Sequence, residues 1–310
     1  MKIVLFGLGS IGQRHAQMLL DKYNHDLYAF RSGKSKSPNS LGIKEVRSWS
    51  GVKKINPDIA FITNPTSLHI KTAIRCAEIG CKIFIDKPLG DKLTGLDKLI
   101  KIIKSKKLVT MVGYNLRFHP VIKALKKFVD KYEPLHLKVT TTSYLPNWRR
   151  GTDYKKSYRT NKNMGGGVIL DLSHEFDYIN YLLGEIKIVK GQFSRRSDLT
   201  VNVEDYADVL INTKLSPVNL HINFLSHKKQ RLIQIDFKNL TVIGDLVNCT
   251  IEEYKNEKMI SRKQFGTDRN ISFSSELEYF FKNIDNPQMM NNLSDASNLY
   301  KKIIDFKNNG

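Results

Sequence analysis

Lys2-Ile3-Val4-Leu5-Phe6-Gly7-Leu8-Gly9-Ser10-Ile11-Gly12 is the stretch that decides the fold. An apolar run flows straight into three glycines, and helical spacing of apolar residues begins at Gly12 and continues to Lys22. An export signal would end in a small-residue cleavage site, so Lys2–Phe6 reads as a first β-strand. A lone glycine-rich turn is common punctuation; between a strand and a helix it has a physical purpose. Gly7 permits the tight turn, Gly9 lets backbone approach a pyrophosphate, and Gly12 lets the helix pack close to the strand. Ser10 and Ile11 then stand at a helix N-terminus, where backbone N–H groups hold phosphate. The turn therefore predicts a dinucleotide site.

Outward from this turn, short apolar runs alternate with helical patterns. Strands are expected at Lys2–Phe6, Asp26–Phe30, Ile59–Thr63, Lys82–Ile85 and Val109–Val112, and helices at Gly12–Lys22, Leu68–Ile79 and Thr94–Ser105. This alternation indicates βαβ units with right-handed crossovers, hence an α/β Rossmann domain with a doubly wound parallel sheet over residues 1–119. An Asp or Glu at the end of the second strand would bind the ribose 2′-hydroxyl of NAD. The strand ends instead in Ala29-Phe30-Arg31-Ser32. Arg31 can stack on adenine or pair with a 2′-phosphate, and Ser32 can donate to that phosphate. This favours NADP(H); if Arg31 is merely exposed, NAD(H) serves as well.

Length and composition agree. A chain of 310 residues with 41% hydrophobic and 10% aromatic residues supports two packed cores. No apolar run is long enough to span a bilayer, so no membrane partner is expected. The formal charge is +20, with 21 Lys and Arg against 8 Asp and Glu over residues 1–120 and 29 against 22 over the rest. Such an excess can track nucleic acid. These cations are mostly lysines scattered along helices, such as Lys98, Lys101 and Lys104, so a solvated surface that attracts anionic ligands is expected and a nucleic-acid partner is not. Cys76, Cys81 and Cys249 fit neither zinc nor redox spacing, which predicts no metal and ordinary thiols in a reducing cytoplasm.

Residues 120–310 change character. A helix over Pro120–Tyr132 is followed by strand-like runs at Leu135–Tyr144, Lys187–Phe193, Tyr206–Asn212, Val218–Ser226, Arg231–Phe237 and Leu240–Ile243. Their close succession predicts an α+β domain with a largely antiparallel open sheet, closed by helices near Ser274–Asn283 and Leu293–Phe306. Gly165-Gly166-Gly167 allows a backbone turn against a ligand, and a following helix places Asp171 and His174 on one face. The imidazole of His174 can exchange a proton near neutral pH, and Asp171 can bind a hydroxyl and bias its charge. An isolated histidine is ordinarily a satisfied core or capping residue; the adjoining glycine turn favours the proton-transfer reading. Asp177 reads as structural. Tyr144–Arg159 is polar and aromatic: Trp148 suits a sugar ring and Arg149 an anion, while a solvated loop or subunit contact fits the segment equally well.

Three further segments complete the pattern: Thr63-Asn64-Pro65 with His69, Ile85-Asp86-Lys87-Pro88-Leu89, and Val112-Gly113-Tyr114-Asn115-Leu116-Arg117-Phe118. With the glycine turn they resemble the glucose–fructose oxidoreductase, inositol dehydrogenase and MocA (Gfo/Idh/MocA) family over nearly the whole chain. The resemblance implies that Asn64, Pro65 and His69 line the nicotinamide end and that Asp86 and Lys87 face cofactor and substrate. Asp86 stands where the family has glutamate. Pro88 is expected to impose a special turn, a cis peptide bond included, that aims Lys87 at the ligand. Asn115, Arg117, Trp148, Arg149, Asp171 and His174 are then the expected substrate residues beside Lys87, with Lys87, Asp171 and His174 catalytic. The spacing of Asp171 and His174 is one residue shorter than is usual in the family, which bears on the aspartate more than on the histidine. The activity implied is hydride transfer between nicotinamide and a hydroxyl or carbonyl carbon of a sugar-like small molecule, anionic or nucleotide-linked forms included. The chain would work as a homodimer or homotetramer. The rival reading is an NADP-binding regulatory or partner protein whose chemistry has lapsed; retention of Lys87 and His174 argues against it.

Overall fold

The computed structural model describes residues 1–31, 39–148, 151, 153–268 and 270–309. They form two compact units: Met1–Tyr114 with Glu276–Asn298, and Asn115–Ser275 with Leu299–Gly310. The sequence reading put its boundary at 119/120 and assigned the whole C-terminal segment to the second domain.

In the first unit, β1 (Lys2–Phe6), β2 (Asp26–Phe30), β3 (Lys44–Val46), β4 (Ile59–Ile62), β5 (Lys82–Asp86) and β6 (Thr110–Gly113) make one parallel sheet among the described residues. Its order is β3-β2-β1-β4-β5-β6. Helices α1 (Ser10–Lys22), α2 (Trp49–Ile55), α3 (His69–Glu78) and α4 (Leu96–Lys106) connect the strands. Strands covered on both faces need apolar residues throughout, which explains the near-continuous burial of Lys2–Phe6 and Ile59–Ile62. The order reverses between β1 and β4, and ligands of such sheets bind outside the strand ends at that point. Glu276–Asn298 completes this unit. Phe280 packs edge-on against Phe61 and Phe84, with centroids 5.8 and 5.5 Å apart. The β6 edge is satisfied by the same segment: Val112 N–H donates to Asn291 O at 3.0 Å, and Leu293 N–H to Thr110 Oγ1 at 2.9 Å.

In the second unit, α5 (Pro120–Lys131) precedes β7 (Pro134–Thr142). A short α6 (Val168–Asp171) and then α7 (Ser173–Leu183) follow the glycine run. The remaining strands are β8 (Ile186–Ser194), β9 (Tyr206–Thr213), β10 (Pro217–Asn223), β11 (Gln230–Phe237), β12 (Leu240–Asp245), β13 (Thr250–Lys255) and β14 (Lys258–Gln264). Helices α8 (Asn270–Lys282) and α9 (Leu293–Asn309) follow, and only Asn270–Ser275 of α8 and the part of α9 from Leu299 belong to this unit. The sheet order is β14-β13-β12-β11-β7-β10-β9-β8, antiparallel except for the β7–β10 pair. Alternation along each strand sends Leu137, Val139, Val209, Ile211, Leu220 and Ile235 to the buried face. Gly244 lets α5 close on that face, since a Cβ there would sit 2.8 Å from Val121 Cγ1.

Four elements escaped the sequence reading: β3 and α2, and the hairpin β13–β14. The single helix expected after the glycine run is two, broken at Leu172, whose φ of −95° and ψ of 28° leave the helical region. Among the described residues no helix is long and apolar enough to cross a membrane.

Candidate functional site

The first unit offers a phosphate cradle. β1 runs into Gly7 at φ +107°, where a Cβ would lie 2.8 Å from the backbone of Asn64. A Cβ on Gly12 would fall 2.1 Å from Gly7 O. Both glycines are thus required by the packing of the turn itself. Thr63 locks it by donating its hydroxyl to Gly7 O at 2.8 Å. Gly9 differs: no atom of the described chain lies within 4 Å of its Cβ position, and its φ of −69° suits any residue. What it keeps open is space outside the protein, in front of a helix that begins at the exposed Ser10 and half-buried Ile11. No side chain caps α1, so its first N–H groups stay directed at that space. These residues fit the pyrophosphate of a dinucleotide.

The loops after β4 and β5 meet at His69. Its Nε2 lies 2.8 Å from Asn64 O and its Nδ1 2.8 Å from Pro88 O, tying the Asn64–Pro65 turn to the turn that carries Lys87. Burial outweighs these two carbonyls and lowers the imidazole's pKa, so near neutrality the ring donates to one of them according to its tautomer. The Lys87–Pro88 peptide bond is cis. Asp86 and Lys87 are half-buried, and Pro65 is exposed. Asn64 donates Nδ2 to Thr72 Oγ1 at 2.9 Å, while its Oδ1 is buried without a hydrogen-bond partner among the described residues. An acceptor left unsatisfied here fits an amide-bearing ligand such as nicotinamide.

Arg31, just past β2, donates its backbone N–H to Val46 O at 2.9 Å. Its Nε stands 3.7 Å from Glu45 Oε1. Sequence reasoning found no acid at the end of β2; the structure supplies one from the neighbouring strand. A three-residue strand carries no readable periodicity, so Glu45 had no signal to reveal it. Ser32 and Arg149 lie outside the described residues.

In the second unit the glycine run presses against the chain at Tyr158–Arg159. A Cβ on Gly166 would lie 2.5 Å from the carbonyl oxygens of both residues, and Gly167 N–H donates to Arg159 O at 3.0 Å. This contact delivers two side chains to Asp171, which is buried. Tyr158 donates its hydroxyl to Oδ1 at 2.9 Å, and Arg159 Nε donates to Oδ2 at 3.1 Å. The Arg159 guanidinium also lies 4.6 Å from the Tyr158 ring centroid and 5.4 Å from that of Trp148. Trp148 is fixed in turn by donating Nε1 to Ser143 Oγ at 2.7 Å. Trp148 and Asp171 are therefore joined through Arg159, the last residue of the polar and aromatic segment.

His174 is the second residue of α7. Along residues 165–179 every residue is buried except His174, which is half-buried. The acids beside it are held internally. Glu175 accepts from Arg231 at 2.8 Å, and Asp177 accepts a two-pronged pair from Arg117 at 2.8 and 2.7 Å. Burial raises the Asp177 pKa even with Arg117 beside it. Arg117, expected as a substrate residue, has its fork engaged by this structural acid. Asn115 likewise donates Nδ2 to Ser272 Oγ at 2.8 Å inside the unit. Among the described residues no cluster of three His, Cys, Asp or Glu side chains is placed to hold a metal ion.

Residues 1–114 match the pattern described as oxidoreductase family, NAD-binding Rossmann fold, and residues 133–246 match the GFO/IDH/MocA C-terminal domain. The chain belongs to the Gfo/Idh/MocA oxidoreductase family. Within that family, the myo-inositol 2-dehydrogenase of Thermotoga maritima is 28% identical over 200 residues, covering 60% of this chain and 55% of that one. The chain spans about half the length of the curated relatives it matches. The solved UDP-N-acetylglucosamine 3-dehydrogenase of Acidithiobacillus ferrooxidans shares the fold with a TM-score of 0.81 at 18% identity, over 99% of this chain and 96% of that one. An oxidoreductase of Agrobacterium radiobacter, solved with NAD+, L-tartaric acid and magnesium, shares it with a TM-score of 0.83 at 14% identity, over 100% of this chain and 97% of that one.

Proposed function

We propose that the chain is an NAD(P)-dependent oxidoreductase acting on a hydroxyl or carbonyl carbon of a sugar or sugar derivative. The observation that carries this reading is Gly9. Its neighbours Gly7 and Gly12 are glycines because the turn leaves no room for a Cβ, whereas Gly9 keeps clear a space beyond the chain. NADP(H) is the cofactor we favour, since β2 ends at Arg31 without an acid of its own, with NAD(H) as the alternative. When bound, the nicotinamide supplies the carbon that accepts or donates hydride.

The chain's residues do the rest. Gly9, Ser10, Ile11 and Gly12 hold the pyrophosphate, and Asn64, Pro65 and His69 shape the nicotinamide end. Lys87, at the carboxyl end of a parallel strand, orients and polarises the substrate oxygen. His174 takes the hydroxyl proton during oxidation and returns it during reduction. Asp171 binds substrate through the Tyr158–Arg159 pair that it holds, and Trp148 offers an aromatic face to a sugar ring. The arginine supports an anionic or nucleotide-linked sugar, and the names of the relatives, a cyclitol dehydrogenase and a nucleotide-sugar dehydrogenase, support the substrate class. A homodimer or homotetramer in the cytoplasm completes the reading.

A panel of free, acidic and nucleotide-linked sugars, each incubated with NADP+ or NAD+ and followed by nicotinamide absorbance, tests this proposal. Turnover on at least one of these sugars is the expected result. Tight dinucleotide binding with no turnover across the panel would instead support the lapsed, regulatory reading.

A further inference from the structure

The sequence places no acid after β2, yet the structure puts a carboxylate against Arg31. Glu45 sits on β3 opposite Ala29 of β2, and Val46 opposite Phe30, so its side chain emerges near the end of the strand where a bound adenosine ribose is contacted. Three groups converge on Glu45: Arg31 Nε at 3.7 Å, Arg47 Nη2 at 3.1 Å and Asn39 Nδ2 at 3.3 Å. Asn39 is itself pinned by two hydrogen bonds to the backbone of Ile43, which holds the donor in place. The Arg31 side chain is only 12% exposed and that of Glu45 25%, so their attraction is less screened than that of Arg47, 75% exposed.

We infer that Glu45 sets the cofactor selectivity of this chain by holding Arg31 in a pair that a 2′-phosphate must break. The inference rests on the dinucleotide reading above. A 2′-phosphate brings close to two negative charges to Arg31, and Glu45 repels it while competing for the same guanidinium. A ribose bearing a free 2′-hydroxyl meets no such repulsion, and the same carboxylate can accept its hydrogen bond. Glu45 thus weakens from β3, without abolishing, the preference for phosphate that Arg31 confers. Arg31 remains available to any ligand charged enough to displace it. The pair keeps both cofactors within reach, and removing the acid releases the arginine for phosphate.

The test is calorimetric binding of ADP-ribose and of its 2′-phosphate to the wild-type chain, E45Q, E45D and R31M, without substrate or turnover. E45Q should tighten the 2′-phosphorylated compound about tenfold, the worth of about one charge-assisted hydrogen bond, and leave or weaken ADP-ribose. E45D withdraws the charge by one methylene and should give a smaller shift in the same direction, which keeps the inference testable if E45Q folds poorly. Adding E45Q to R31M should restore no preference for phosphate. An unchanged ratio of the two affinities in both Glu45 variants overturns the inference alone. If the wild-type chain binds neither compound, the dinucleotide reading falls, and the inference with it.

Discussion

Acidification should destabilise the dinucleotide-binding unit through His15. This residue lies on α1, fully buried between Phe61 and Phe84, whose ring centroids are 5.9 and 5.2 Å away. Burial, aided by the charge of Arg14, lowers its pKa from 6.5 to about 4. The unfolded chain therefore binds a proton that the folded chain refuses. Stability is complete above the unfolded value, falls as the pH drops below it, and levels off below the folded value. A gap of about 2.5 pH units corresponds to about 3 kcal/mol in total, of which about 2 kcal/mol is lost by about pH 5. Of the two tryptophans, Trp49 stacks on Phe6 in the first unit, with centroids 5.1 Å apart, and Trp148 lies in the second. In a W148F background, urea titrations followed by Trp49 fluorescence report the first unit by itself, which matters because a chain of two units need not unfold in one step. H15M replaces the ring with an uncharged group of similar bulk. Between neutral pH and about pH 5 the parent should lose about 2 kcal/mol more than H15M. Equal losses would show that His15 is not the group responsible. Since α1 carries the phosphate cradle at its N-terminus, dinucleotide affinity should fall over the same pH interval in the parent.

Two glycines three residues apart in the same turn, Gly9 and Gly12, should behave oppositely. G9A should shift the melting temperature by no more than about 2 °C, because the added methyl meets nothing of the chain, yet weaken dinucleotide binding at least tenfold by calorimetry. G12A should destabilise by about 1–3 kcal/mol or more in urea, because its methyl collides with Gly7 O. R117M strands the Asp177 carboxylate in a buried site and should cost about 3–5 kcal/mol, with much of the loss recovered in R117M/D177L; a loss below about 1 kcal/mol would show that the pair carries little of the fold. H174N should lower kcat by about 10² to 10⁴ while leaving cofactor affinity within about twofold, as a proton-transfer residue requires; unchanged turnover would remove His174 from the mechanism.

The parallel sheet was legible because its longer strands are mostly apolar and its longer helices show an apolar stripe. The glycine turn identified itself by its place between β1 and α1. What escaped were elements whose signals are short or polar. β3 is three residues long, α2 only seven, and β14 is exposed along its whole length, so hydrophobic periodicity is absent there. The association of Glu276–Asn298 with the first unit is a long-range fact, visible in the Val112–Asn291 hydrogen bond and in no local pattern. At the candidate site, residue types were readable and their commitments were not. Arg117 and Arg159 look alike as sequence, but one closes on Asp177 and the other on Asp171. Only the fold distinguishes an arginine spent on a structural acid from one shared with a half-open cluster of Trp148 and Tyr158.

The same distinction explains why α7 can present a histidine. A helix carrying His174, Glu175 and Asp177 in four successive positions would be a poor element to bury, since two carboxylates without partners would cost far more than the helix gains. Arg231 from β11 and Arg117 from the turn before α5 pair with the two acids from different directions. Because each pair is buried and hydrogen-bonded, it also fixes the rotation of α7 about its own axis and its depth against the sheet. The imidazole of His174 is carried by that fixed helix and remains half-buried where its neighbours are closed off. A proton-transfer group must keep one orientation to be effective, and a residue on an anchored helix keeps it better than one on a loop. Arg117, which the sequence alone assigns to substrate, therefore acts at one remove, and with Arg231 it holds the helix that carries His174.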